Sequence, residues 1–218
     1  MRNCTRLGFF LLATAGLLAL SACSDQTSSA EPLGSASQRL AVGDIIVTEI
    51  HYNGQGGTET SNEWFEVYNT TNAPIDLQGW TIRDALVANA HVIASSVVVP
   101  AGGYIVLGES ADKAKNGGVD VAYAYGTKIS FNNSGGDEVH LTAPLVIADV
   151  DVVVYKSASP WPANTDGVSI SLDPTKLTAV ANDDGASWCL ATSTFNGGLS
   201  KGTPGKANDS CGNGTGGA

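Results

Sequence analysis

The sequence predicts an all-β fold, an antiparallel β-sandwich, from three observations. From Leu40 onward, short runs rich in Val, Ile, Tyr and Trp recur, residue types that fit a pleated, half-buried surface. Gly, Asn, Pro and Asp divide these runs, supplying positive φ, a preset φ or local side-chain hydrogen bonds. Seven or eight strands at this spacing, with no fixed-period repeat and no heptads, are the pattern of a sandwich.

The strands follow in order. Asp44–Tyr52 opens the series, then Glu63–Asn69 and Gly79–Asp84. His91–Pro100 and Gly103–Ser110 come next, then Asp137–Pro144, Val146–Tyr155 and a weaker Gly167–Asp173. Only Ser110–Gly117 has the composition for a turn of helix. Within Glu63–Asn69, Phe65 and Val67 share one face and Trp64, Glu66 and Tyr68 the other, because alternate strand residues point the same way. Neither face is plainly polar, which places this strand centrally. Asn69-Thr70-Thr71-Asn72 is turn chemistry, Pro74 fixes the backbone, and Gly79-Trp80 reads as a tight corner followed by a core anchor.

The start of the chain sets the compartment. Arg2 and Arg6 precede an apolar run, Leu7–Leu20, and small residues then lead to Cys23. This is the pattern of a secretory signal peptide over residues 1–22, and the apolar run Leu7–Leu20 is too short to span a bilayer core comfortably. Residues 23–39 are polar and aperiodic, a flexible linker. The chain carries 11 basic and 21 acidic residues; losing residues 1–22 removes two arginines and no acid, leaving a net charge of −12. Such a surface repels phosphate backbones, which excludes nucleic-acid binding by a basic footprint, and it also repels anionic lipid. Of four cysteines, Cys4 leaves with the signal peptide and Cys23 begins the mature chain. Cys189 and Cys211 remain, and an even remainder in a secreted chain points to one disulfide. A metal pair is the alternative, weakened by the lack of any C-x-x-C.

Two resemblances sharpen these expectations. Leu20-Ser21-Ala22-Cys23 resembles the bacterial lipobox, which implies cleavage before Cys23 and lipid on it. Several acyl chains anchor stably where one holds marginally. The protein would then be tethered in the bacterial cell envelope. Ser24 after the cysteine, with Asp25 one place beyond the inner-membrane retention position, implies the outer membrane if the host has one. Further on, IIVTEIHYN, NEWFEVYNTTNAPIDLQGWTIRD, VVVPAGGYIVLG, NNSGGDEVHLTAP and DVDVVVY occur in that order. This set resembles the lamin tail domain in its bacterial form and covers residues 40–156. The resemblance implies an immunoglobulin-like sandwich with no established catalytic site, serving as an interaction or attachment module. Its partner would be a protein or a cell-wall or surface polymer. The trailing GTPGKAN (Gly202–Asn208) resembles the closing element of secreted bacterial members. Residues 157–209 are therefore expected to pack on the sandwich as a loop-rich extension, with residues 210–218 a flexible tail.

Candidate site residues are few. Glu49 and Glu66 stand among apolar neighbours, and a buried carboxylate is costly unless it accepts several hydrogen bonds. Their favoured role is structural, fixing turns with Asn69, Gly79 and Trp80. A cation site, with calcium as the ion, would draw on Glu49, Asn53, Glu63 and Glu66 and would make the protein an accessory module of a secreted hydrolytic system. A general acid/base pair lacks a nucleophile or electrophile beside it. No cofactor is otherwise expected and no enzyme activity. GLSKG around Ser200 matches the nucleophile-elbow string, but Thr203-Pro204-Gly205 opposes the helix that motif requires. Asn182-Asp183-Asp184-Gly185 reads as a solvated turn rather than a calcium loop. His51, His91 and His140 each lie on a β segment and read as strand residues rather than ligands.

Overall fold

A computed structural model describes residues 40–54, 62–146 and 148–212. The expected signal peptide, Cys23, the linker to residue 39 and the tail from residue 213 lie outside the described residues. The strands are β1 (Ile45–His51), β2 (Trp64–Asn69), β3 (Ile75–Asp76), β4 (Thr81–Arg83), β5 (His91–Val92), β6 (Val98–Val99) and β7 (Tyr104–Gly108). They continue with β8 (Val121–Ala124), β9 (Asp137–Thr142), β10 (Asp151–Tyr155), β11 (Ile170–Leu172), β12 (Trp188–Leu190), β13 (Thr194–Phe195) and β14 (Ser200–Lys201). A short α-helix, α1 (Ala179–Asn182), is capped by the Thr178 side chain.

A six-stranded sheet, ordered β12-β11-β1-β2-β7-β8, faces a four-stranded sheet, β10-β9-β4-β5. The first includes β11 and β12, so the C-terminal extension contributes strands to the sandwich itself. Phe65, Val67 and Ile50 of the larger sheet, with Tyr52 just after β1, join Ile82, Val139, Leu141, Val153 and Tyr155 of the smaller, with Trp80 just before β4, in one core. Tyr52 stacks on Tyr155 at 4.8 Å.

The expected strands and turns differ from the structure in several places. The expected strand His91–Pro100 is two pieces, β5 and β6, which pair with different partners, β4 and β3. The expected Val146–Tyr155 is strand only from Asp151, because a turn at Pro144-Leu145 precedes it. Ser110–Gly117 forms turns, not helix. These turns belong to the crossover from β7 to β8, which pair in parallel. A parallel pair needs a connection of about a dozen residues, so this pair departs from the all-antiparallel expectation.

β1 carries the feature that positions the candidate site. Val47 pairs with Val67 and Glu49 with Glu66, so Thr48 is an extra residue, a β-bulge. One added residue shifts the alternation. Val47 before the bulge and Ile50 after it therefore both face the core, while Glu49 and His51 face the opposite side with Glu66 and Trp64.

Candidate functional site

The bulge and the two glutamates beside it gather the C-terminal segment onto β1. Every residue of β1 is buried. The β11 ladder reaches only Glu49 and Ile50, so the backbone groups of Val47 and Thr48 on that side need other partners. Side chains supply them. The Val47 N–H donates to Asp151 Oδ2 at 2.8 Å, and Asn182 Nδ2 donates to the Val47 carbonyl at 3.2 Å. Asn208 Nδ2 donates to the carbonyls of Thr48 at 2.7 Å and Leu172 at 2.9 Å.

Glu49 is fully buried and lies under the closing element. The Thr203 N–H donates to Oε1 at 3.0 Å and Oε2 at 3.1 Å, and the Thr203 hydroxyl to Oε2 at 2.9 Å. Ser171 Oγ donates to Oε1 at 3.1 Å, and Ser169 Oγ makes a short bond to the same oxygen. Glu66, its cross-strand neighbour, accepts from Thr48 Oγ1 at 2.8 Å and the Gly205 N–H at 2.7 Å. The close approach requires glycine at 202, where a Cβ would lie 2.8 Å from Ser169 Oγ and 2.9 Å from Glu49 Oε1. Gly205 has a φ of 81°, in the left-handed region. Burial raises the pKa of both carboxyls above the ordinary range; for Glu66 the neighbouring Glu49 charge adds to it, against the hydrogen bonds that favour ionisation.

The remaining candidates are distributed through the fold. Asn69 donates to the carbonyls of Ala73 at 2.8 Å and Val99 at 3.0 Å, and its Oδ1 accepts from Thr71 N and Oγ1. Gly79 has a φ of 80°, and Trp80 is 1 % exposed. Asn53 donates to Asn164 Oδ1 at 2.8 Å, and Glu63 Oε2 accepts the Phe131 N–H at 2.8 Å. The residues expected for a cation site are therefore divided: Glu49 and Glu66 lie together under the closing element, while Asn53 and Glu63 bind other loops. Among the described residues, no group of three or more His, Cys, Asp or Glu side chains is arranged to hold a metal ion.

Cys189 of β12 and Cys211 are joined by a disulfide, with Cα atoms 5.6 Å apart. His51 stacks on Trp64 at 5.3 Å, and burial lowers its pKa to about 4. His91 Nε2 lies 2.8 Å from Tyr123 Oη. His140 is held between Glu138 and Asp149, with Arg83 against Nδ1. Ser200 lies in β14, and the closing loop follows it. Asn182, expected in a solvated turn, is instead fully buried, the last residue of α1. Its role and that of Asp151 were not visible in the sequence; an Asp between valines that continue a strand was the one available signal.

Two facing sheets, with buried carboxylates fastening the loops, make an immunoglobulin-like β-sandwich. The family model for the lamin tail domain matches residues 38–157, more than half the chain. The chain belongs to the lamin tail domain family. No curated protein matches it.

Proposed function

We propose that this protein is a non-catalytic lipoprotein of the bacterial cell envelope, tethered through lipid on Cys23, whose lamin tail domain is an interaction or attachment module. The observation that carries this reading is the condition of the two buried glutamates. Both oxygens of each accept hydrogen bonds from the chain's own loops and hydroxyls, which leaves the pair architectural rather than reactive. The family's non-catalytic character supports the same reading. The lipobox-like residues 20–23 support the tether, and the acidic surface makes lipid rather than surface charge the means of membrane attachment. The attached partner is a protein or a surface polymer, and the outer membrane is the destination where the host has one.

The test is fractionation of a bacterial host producing the wild type and Cys23→Ser. The wild type partitions into detergent with the mass of a lipidated chain beginning at Cys23. The variant is released or left unprocessed. Unchanged partitioning and mature mass in the variant would refute the anchor.

A further inference from the structure

We propose that Asp151 holds a proton and closes a carboxylic acid–carboxamide ring with Asn182, making this contact a pH-sensitive latch between the sandwich and its C-terminal segment. Asp151 is 3 % exposed and Asn182 is fully buried. Asp151 Oδ2 accepts from the Val47 N–H at 2.8 Å and from Asn182 Nδ2 at 2.8 Å. The other oxygens of the same two side chains, Asp151 Oδ1 and Asn182 Oδ1, are buried without a hydrogen-bond donor. Both are acceptors, so an ionised Asp151 leaves each unmatched. Turning the amide over does not help, because its oxygen would then meet Asp151 Oδ2 and the Val47 carbonyl, and both existing bonds would be lost. One proton on Asp151 Oδ1 supplies the missing donor. The acid carbonyl then accepts the amide N–H while the acid O–H donates to the amide carbonyl. Asn182 is fixed for this role by its own backbone, whose N–H donates to Thr178 O at 3.0 Å and whose carbonyl accepts Trp188 Nε1 at 2.9 Å.

The surroundings favour the proton. Burial pushes the Asp151 carboxyl up to about 7, against the lowering hydrogen bonds from Val47, Asn182 and the Val152 backbone, and the Asp183 charge just beyond α1 adds to the rise. The other titratable groups on the elements packed around it are engaged elsewhere. Glu49 of β1 is turned to Thr203, Ser169 and Ser171, and Asp44 accepts the Ala41 N–H. Asp184 accepts the Ala186 N–H. On β9, Leu141 stands opposite Asp151, while Glu138 and His140 bond each other. None of the ion pairs among the described residues involves Asp151. The latch holds α1 against β1 and β10. Residues Leu177–Val180 in turn wall a groove of about 310 Å³ with Val42, Gly43 and Thr70. Loss of the proton leaves both buried oxygens without a donor and loosens that wall.

The experiment is denaturant unfolding of the full mature protein between about pH 4 and pH 8, wild type against Asp151→Asn. The substitution keeps the ring at every pH, because an amide donates and accepts in the same places. The folded pKa lies above the ordinary 3.8, so this group's stabilisation is complete below that value and lost as pH rises to the folded pKa. Relative to Asp151→Asn, the wild-type folding constant should fall about tenfold per pH unit through that window and level off above about pH 7. A gap that stays constant with pH, or a wild type that gains on the variant as pH rises, would overturn the proposal. So would removal of the pH dependence by added calcium or sodium, which would place a cation where the proton is assigned. A reading independent of the variant's folding is the carboxyl-carbon resonance of Asp151 in labelled wild type. It should titrate near neutrality, and titration in the ordinary aspartate range would equally overturn the latch.

Discussion

Glu66 shows how a single buried carboxyl is tuned here. Thr48 and Gly205 donate to it, yet burial and the Glu49 charge raise its pKa well above the ordinary glutamate range. A raised folded pKa gives stabilisation that is complete below the unfolded value and lost as pH rises. Glu66→Gln removes that dependence and keeps the shape. Its cost should be on the order of 1–3 kcal/mol at acid pH and smaller at alkaline pH, read from unfolding at two pH values. A cost that grows with pH would mean that Glu66 works as a carboxylate. Asp209 has the opposite behaviour. Burial opposes its ionisation, but bonds from Ser193 and Thr192 pull its pKa down to about 2. Its stabilisation is present above the ordinary aspartate range and lost as pH falls through about 2. Asp209→Asn should therefore lower the unfolding midpoint at neutral pH and close the gap to wild type in strong acid. Glu49 and Glu66 were legible in the sequence because a charge inside an apolar run needs an explanation. Their partners were not, since Ser169 and Thr203 lie more than a hundred residues away along the chain.

The bulged strand and the closing loop are the elements that depend most on one another. Gly202 lets the loop pass over Glu49. A methyl group there forces Ser169 or the loop to move, so Gly202→Ala should cost roughly 1–3 kcal/mol, as overpacking does, with larger loss of amide protection at residues 203–206 than in β2. Equal loss in both would place the effect in the whole domain instead. At the corner before β4, Trp80 is 1 % exposed. Trp80→Ala should cost roughly 3–5 kcal/mol, a large part of a typical domain's stability, and should leave the protein unfolded or nearly so by circular dichroism. The longer strands were legible from their β-branched runs and boundary glycines. β5 and β6 were read as one because only Ala94-Ser95-Ser96 separates the apolar Val92-Ile93 from Val97-Val98-Val99, with no Gly, Pro or Asn to mark a break. β8 was missed because alanines occupy its exposed positions, Ala122 and Ala124, and give no hydrophobic contrast. The bulge at Thr48 could not be seen at all, since Asp44–Tyr52 is buried on both faces along most of its length and loses the alternation that reveals register.

Across the whole molecule, residues 157–211 are a working part of the sandwich. They supply two strands to the larger sheet, the donors to Glu49, the Gly205 N–H that donates to Glu66, and both cysteines of the Cys189–Cys211 disulfide, which spans 22 residues of sequence. In the chain-entropy model a loop of that size contributes roughly 3 kcal/mol. Reduction should lower the unfolding midpoint without removing the strands, because the carboxylate and Asn208 contacts stay. The family resemblance was legible from an ordered set of motifs spread over most of the domain, while the way the extension joins the sheet was not, because β11 and β12 are only three residues each. The central claim is that the two glutamates fasten this segment to β1 rather than hold a cation or act in a reaction. Hydrogen exchange at the Thr203 and Gly205 amides of the full mature protein, with calcium and then with chelator, tests it most directly. Both amides should exchange as slowly as those of β1, and calcium should change neither. Exchange as fast as an open loop, or protection that appears only with calcium, would contradict the account.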